Sequence, residues 1–214
     1  MADVSAGHVH DNMLARDIAL LRDSVQEAGA LALSLFRTEL RNWTKGASSP
    51  VSESDIAVND LIQQQLRSAR PDYGWLSEES ADDETRLGKK LVWIVDPIDG
   101  TRGYLAGRED WCVSVALVEN AAPLLAAVFV PASDEFFFAA RGQEAVTARG
   151  GDSSFGSGSR WRPPNMGRVG AHSLRSHLSF LSAVARRDGA MSHSRIGMLP
   201  LSASPSCRSL ARGS

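Results

Sequence analysis

Cysteine is nearly missing from this chain. Its 214 residues hold two, Cys112 and Cys207, too few and too far apart for a disulfide framework or a cysteine-ligated metal, and this scarcity fits a reducing, cytoplasmic setting. An excess of charge of either sign is also lacking. Lys and Arg number 23 against 25 Asp and Glu, a net charge of -2, which supplies no overall pull toward a nucleic acid polymer or an anionic membrane. An anionic ligand must therefore be held locally. No apolar stretch approaches the roughly 20 residues that cross a bilayer; the most apolar run, Ala121 to Ala132, is broken by Pro123 and Pro131. Met1 to Asp11 carries Asp3, His8 and His10 where a secretory signal would have a basic region and then an apolar one. His8, His10, His172, His177 and His193 show no metal-ligand spacing.

What is present is the composition of an ordinary folded domain, 43% hydrophobic and 22% charged, which excludes general disorder, collagen-like repeats and a coiled coil. Met13, Leu14, Ile18, Leu21, Val25, Ala28, Leu31, Leu35 and Phe36 recur every three or four positions and predict an amphipathic helix from Asp11 to near Arg37. Lys45 to Pro50 reads as a turn-rich link. A second helix is expected over Ser54 to Ala69, with Ile56, Leu61, Ile62 and Leu66 facing inward and Pro71 just past its end. Short aromatic and β-branched runs, Tyr73 to Ser77 and Leu91 to Val95, predict buried strands that end directly in acidic residues. Trp111 to Val118 alternates Trp111, Val113, Val115 and Leu117 with Cys112, Ser114 and Ala116, and Leu124 to Val130 and Glu135 to Ala139 predict further strands. Trp75, Trp93 and Trp111 read as core, not as a base-stacking platform.

Helices followed by a largely hairpin-connected sheet predict a layered α+β fold. The chain divides into an N-terminal α+β domain (11–150), a shorter C-terminal part (151–190) that opens on the connector Gly150 to Ser159, and an irregular tail (191–214) rich in Ser, Arg, Gly and Pro. One more helix ends near Val184 to Arg187, and the tail reads as a truncated or frame-shifted end.

The segment Trp93-Ile94-Val95-Asp96-Pro97-Ile98-Asp99-Gly100-Thr101 is an apolar strand that delivers two carboxylates, then a glycine and a hydroxyl. Pro97 restricts the backbone between the acids, and Gly100 permits a tight turn whose N–H groups face an anion. A helix opening at Thr101 would add favourable potential for phosphate. Ser77-Glu78-Glu79-Ser80 ends another strand in adjacent carboxylates. Glu78, Asp96 and Asp99 together would suit magnesium, which prefers carboxylate oxygen and water. An acidic pair alone is ordinarily a solvated loop, and Asp-x-x-Asp-Gly alone is ordinarily a turn. Two strands that both deliver acids to their C-terminal ends would repel unless a cation neutralised them.

Asp96-Pro97-Ile98-Asp99-Gly100-Thr101 resembles the signature of the inositol monophosphatase-like, magnesium-dependent and lithium-sensitive phosphatases. Lys45, then Pro50-Val51-Ser52-Glu53-Ser54-Asp55, then Leu76-Ser77-Glu78-Glu79 resemble the family's companion elements in order, and the resemblance spans roughly Asp11 to His177. Tyr73 to Glu79, Arg102 and Ser173-Leu174-Arg175-Ser176-His177 are more similar to bacterial 3'(2'),5'-bisphosphate nucleotidases than to inositol monophosphatases. The resemblance implies that Glu78 and Asp96 bind one magnesium, and that Asp96, the carbonyl of Ile98 and Asp99 contribute to a second or shared one. Glu79 and Lys45 would support these ligands from behind, although a loop lysine is ordinarily a solvated charge. Thr101 with Glu78 would orient the attacking water, and Asp55 would support a weaker metal or its water. The amides of Gly100 and Thr101 would hold phosphate, with Arg175 reaching a second phosphate.

The implied activity is hydrolysis of a small phosphorylated metabolite without a covalent enzyme intermediate. 3'(2')-Phosphoadenosine 5'-phosphate is the leading substrate, and inositol 1-phosphate or a sugar phosphate the alternative. The resemblance implies the layered α/β sandwich of the inositol monophosphatase and sugar phosphatase type, with 11–150 as its metal- and phosphate-binding domain and 151–190 as the remnant of an incomplete C-terminal α/β lobe; the family's Trp-Asp-x-Ala element is not found, and Asp188 is the only acidic residue after Asp152. A catalytically impaired metal- and phosphate-binding remnant, or an interaction module using an exposed sheet, are therefore further readings. A homodimer that completes the site is another.

Overall fold

Every strand of the main sheet follows two long helices in the chain, and those helices cover one of its faces. The computed structural model describes residues 4–45, 49–143 and 145–149. The predicted segments 151–190 and 191–214 lie outside the described residues, as do Arg175, His172, His177, His193 and Cys207.

Helix α1 (Val4–Leu35) starts earlier than its apolar periodicity suggests. It gives way to Arg37 at φ 62, a left-handed residue that no helix can continue through. The link to α2 (Glu53–Ala69) is a hairpin, not a bare turn: β1 (Asn42–Lys45) and β2 (Ser49–Ser52) pair antiparallel with Trp43 opposite Val51. Four-residue strands are too short to show a period, and Pro50 is tolerated because this ribbon has only edges. Ser52 caps α2 in a reciprocal capping box with Asp55.

The sheet comprises β3 (Gly74–Ser77), β4 (Leu91–Asp99), β5 (Cys112–Glu119), β6 (Ala122–Val130), β7 (Glu135–Ala140) and β8 (Val146–Arg149), in that spatial order, with a short α3 (Thr101–Leu105) between β4 and β5. The β3–β4 pair is parallel; each later pair is antiparallel. β4 runs past the predicted Val95 to Asp99 because a register shift between Asp96 and Asp99 lets the ladder resume. β8 shows too few residues for its alternation to stand out.

Leu21, Val25 and Ala28 of α1 and Val58, Ile62 and Leu66 of α2 pack with Trp75, Trp93, Val113, Val115 and Leu117 in one core. Cys112, Ala116, Ala126, Val128, Phe137 and Ala139 are buried on the opposite face. The alternation expected along Trp111 to Leu117 is thus observed, and all three strand tryptophans are core residues. Gly29 lets α1 close on the Phe129 ring of β6, where a Cβ would collide. Between the end of α2 and the start of β3, Arg70 Nε donates to Asp17 Oδ1 at 2.6 Å and the Tyr73 hydroxyl donates to Asp17 Oδ2 at 2.9 Å. Burial beside Asp17 pushes the Tyr73 hydroxyl up to about 12. Among the described residues no helix is long and apolar enough to cross a membrane.

Ile62 is fully buried between α2 and the sheet. Ile62→Ala should lower the unfolding free energy by roughly 2–5 kcal/mol, the usual cost of emptying such a site. Urea denaturation reads this directly, and a loss under about 0.5 kcal/mol, typical of a surface change, would place Ile62 outside the core.

Candidate active site

Parallel strands bring their C-terminal ends to the same sheet edge. Ser77 pairs with Val95, and the next step of the ladder is Glu78 N donating to Val95 O at 3.1 Å. Glu78 and Glu79 therefore leave β3 beside Asp96 of β4. Across the register shift Asp96 opposes Ser114 and Asp99 opposes Cys112. Ile98 sends its side chain into the core, 2% exposed, while its carbonyl accepts from Thr101 Oγ1 at 3.0 Å. Gly100 then turns the chain at φ 95 into α3. A Cβ there would lie 2.8 Å from Asp110 O, so both the angle and the space demand glycine.

Helix α2 meets this turn through Asp55. Asp55 is 1% exposed; its Oδ2 accepts from Ser52 N at 2.8 Å and Ser52 Oγ at 2.5 Å, and its Oδ1 accepts from Thr101 Oγ1 at 3.0 Å. The single Thr101 proton is thus shared between Asp55 and the Ile98 carbonyl. Tyr104 ties α3 down further, its hydroxyl donating to Ala32 O at 2.7 Å and meeting Ser54 Oγ at 3.1 Å.

Lys45 departs from the expectation of a solvated loop charge. The hairpin carries its ammonium to the carbonyl of Glu78, to which it donates, and to within 3.4 Å of Glu79 Oε2, whose side chain is only 6% exposed. The cation of a partly exposed side chain is thereby placed on a nearly buried carboxylate. Sequence reasoning did not read the hairpin that aims Lys45, although the resemblance implies this supporting place for it. It also missed Ser52, although Ser-x-x-Asp ahead of an apolar run is a capping signal.

Glu78, Asp96, Ile98, Asp99, Gly100 and Thr101 line one cleft of about 220 Å³, together with Pro50 and Arg102. Asp96 is densely enclosed but keeps one face open to this space. Burial, reinforced by Asp99, Glu78, Asp55 and Glu79, pushes its carboxyl well above the usual carboxylate range. Burial likewise raises Glu78 and Glu79, with Lys45 opposing the rise in both. Asp55 is raised by burial against the hydrogen bonds from Ser52 and Thr101 that hold it down. Cys112 Sγ lies 3.8 Å from Asp99 Oδ2, and its thiol is pushed far up by burial and by that carboxylate.

A hard divalent cation answers this arrangement. The donors are oxygen only, they are anionic, and their mutual repulsion is incompletely offset by Lys45. Among the described residues no three Asp, Glu, His or Cys side chains are already gathered as a metal-ligand cluster; an open set of carboxylate oxygens is what a hard ion that keeps several of its waters takes. The side chains of His8 and His10 and the whole of Arg175 lie outside the described residues.

A family model for the inositol monophosphatase family matches residues 13–198. The chain belongs to the inositol monophosphatase family. It is 39% identical over 129 residues to the inositol-1-monophosphatase of Rhizobium meliloti (strain 1021), which covers 58% of this chain and 48% of that one. To the 3'(2'),5'-bisphosphate nucleotidase CysQ of Escherichia coli (strain K12) it is 35% identical over 101 residues, 47% of this chain and 41% of the relative. The crystal structure of the extragenic suppressor protein suhB from Bartonella henselae superposes with a TM-score of 0.59 at 29% identity, covering 62% of this chain and 52% of that one. The chain thus spans less than half the length of the two curated relatives. The α+β fold expected from the sequence is the fold of this family.

Two outcomes test the site. Gly100→Ala should unfold at lower temperature and lose cation binding, since both the φ of 95 and the Asp110 carbonyl oppose a Cβ; calorimetric titration with manganese reads the second effect. Raised carboxyl groups bind more protons in the folded than in the unfolded chain, so without a divalent cation stability should fall as pH rises from about 4 toward neutrality. Thermal unfolding in a chelator should show a lower midpoint near neutrality than in mild acid. Asp96→Asn should narrow that gap, and magnesium should raise the midpoint more near neutrality.

Proposed function

We propose that the chain is a magnesium-dependent phosphomonoesterase for a small phosphorylated metabolite, and that its preferred substrate is 3'(2')-phosphoadenosine 5'-phosphate, hydrolysed to AMP and phosphate. The observation that carries this reading is the meeting of three elements at one cleft: the carboxylates from the ends of β3 and β4, the glycine turn into α3, and the Asp55-held hydroxyl of Thr101. Glu78 and Asp96 would hold one magnesium, and Asp96, Asp99 and the Ile98 carbonyl a second or shared one. Magnesium, when bound there, acidifies water and neutralises charge on the leaving ester oxygen.

The chain's own groups do the rest. Asp55 accepts the Thr101 proton, which leaves a lone pair on that hydroxyl to orient the attacking water together with Glu78. The amides of Gly100 and Thr101 hold phosphate at the start of α3, and Lys45 holds Glu79 in place and opposes the upward push of burial on its carboxyl. In-line attack of water on phosphorus, with the ester oxygen departing and taking a proton, requires no nucleophilic side chain. Arg102 brings positive charge to the cleft wall beside this turn, and Arg175 is the second residue assigned to the distal phosphate. The similarity to CysQ supports the nucleotide substrate. The similarity to the Rhizobium enzyme supports inositol 1-phosphate as the runner-up. Action in the cytoplasm as a homodimer belongs to the same reading.

The test is phosphate release by the purified full-length chain from adenosine 3',5'-bisphosphate and from inositol 1-phosphate, with and without magnesium. Turnover should require magnesium, be inhibited by lithium and prefer the nucleotide. Asp96→Asn should lower it by more than the roughly 100-fold that loss of a merely supporting residue costs. Release that ignores magnesium, or none from either compound by a folded chain, would overturn the reading.

A further inference from the structure

The inward face of α2 is apolar at Val58, Ile62 and Leu66, yet Asn59 on the same helix is 3% exposed. A buried carboxamide is costly unless its hydrogen bonds are made, so the destination of those bonds says what the residue is for. Ser77 Oγ donates to Asn59 Oδ1 at 2.6 Å. Ser80 Oγ meets the same oxygen at 3.5 Å, and Asn59 Nδ2 reaches Ser80 Oγ at 3.3 Å and Asp60 Oδ1 at 3.4 Å. Apart from Asp60, its immediate neighbour, every partner among the described residues belongs to the segment that brackets Glu78 and Glu79.

Ser77 is the important one. It is the last residue of β3, 4% exposed, and its Oγ accepts from Glu79 N at 3.2 Å. A hydroxyl has one proton to give. Because Asn59 Oδ1 takes it at 2.6 Å, the oxygen's lone pairs remain for the Glu79 amide, and this fixes the turn from which both glutamates project. Asp55 lies one helical turn before Asn59, so successive turns of α2 hold the Thr101 hydroxyl, which lines the cleft, and the Ser77 hydroxyl, which precedes Glu78.

We infer that Asn59 is a positioning residue for the Glu78–Glu79 pair, acting through the Ser77 hydroxyl, and that it thereby sets the affinity of the cleft for a divalent cation. The inference rests on the function proposed above and extends it to a residue outside the cleft lining. Residues that orient metal-binding groups typically contribute about 10- to 100-fold to affinity.

The experiment measures manganese binding by calorimetry on the full chain, with thermal unfolding in a chelator run beside it and all titrations well below each midpoint. Asn59→Leu and Ser77→Ala should each weaken manganese about tenfold or more. The double variant should be no weaker than the worse single variant, since both changes cut one path. Ser77→Thr, which keeps the hydroxyl, should bind as the unaltered chain does. Should Asn59→Leu fail to fold, the contrast between Ser77→Ala and Ser77→Thr decides. Unchanged affinity in Asn59→Leu and Ser77→Ala, multiplying effects in the double variant, or a Ser77→Thr as weak as Ser77→Ala would each overturn the inference while the unaltered chain still binds manganese. An unaltered chain that binds none would overturn the proposed function and this inference with it.

Discussion

The parallel register of β3 against β4 is the constraint on which the site depends. With Ser77 opposite Val95 and the Glu78 amide bonded to the Val95 carbonyl, the acids that follow each strand emerge together. A slip of one residue would turn Asp96 to the other face and remove it from the cleft. The rest of the sheet is antiparallel and serves to hold this pair, while α1 and α2 press on it through Trp75, Trp93, Ile62 and Leu66. The buried Asp17, bonded to Arg70 and Tyr73, sets where the chain leaves α2 and enters β3.

Placing acids at one edge has an electrostatic cost, and the surrounding elements each offset part of it. The Ser52 cap and the Thr101 hydroxyl donate to Asp55, and Lys45 reaches Glu79 from the hairpin. Asp96 gains least from these partners, and its carboxyl is displaced well above the ordinary range by burial and by its neighbours. The site is thus pre-organised in position and incompletely neutralised in charge, which is the condition a hard cation relieves.

Much of this was legible in the sequence, for identifiable reasons. Helix periodicity over long windows and period-two alternation along Trp111 to Leu117 survive because each element buries a consistent face. The Asp96 to Thr101 segment was legible because glycine and proline punctuate it. The β1–β2 hairpin and β8 were not, since four residues are too few for a period. The continuation of β4 to Asp99 was hidden because a register shift interrupts the alternation that would announce it. The path that carries Lys45 to Glu79 was hidden for a related reason: a lysine's partner is set by the tertiary path of its strand, and local sequence is silent on that. Asn59 was invisible because a single polar residue on an amphipathic helix looks like ordinary surface until the fold shows that it is buried.

Strand order in the sheet equals strand order in the chain, and this bears on how the molecule is assembled during synthesis. From β5 onward each strand pairs antiparallel with its immediate predecessor, and the closures that add β6, β7 and β8 are of low sequence separation. Every carboxylate assigned to the cleft lies between Asp55 and Asp99, ahead of β5. The connection from β3 to β4 carries the 3-10 segment Glu84–Gly88 and is similar in length to the one that carries α3 between β4 and β5. β4 is thus held on both edges, by β3 and β5, and the residues of the cleft are all made before β6 to β8, which extend the sheet away from it.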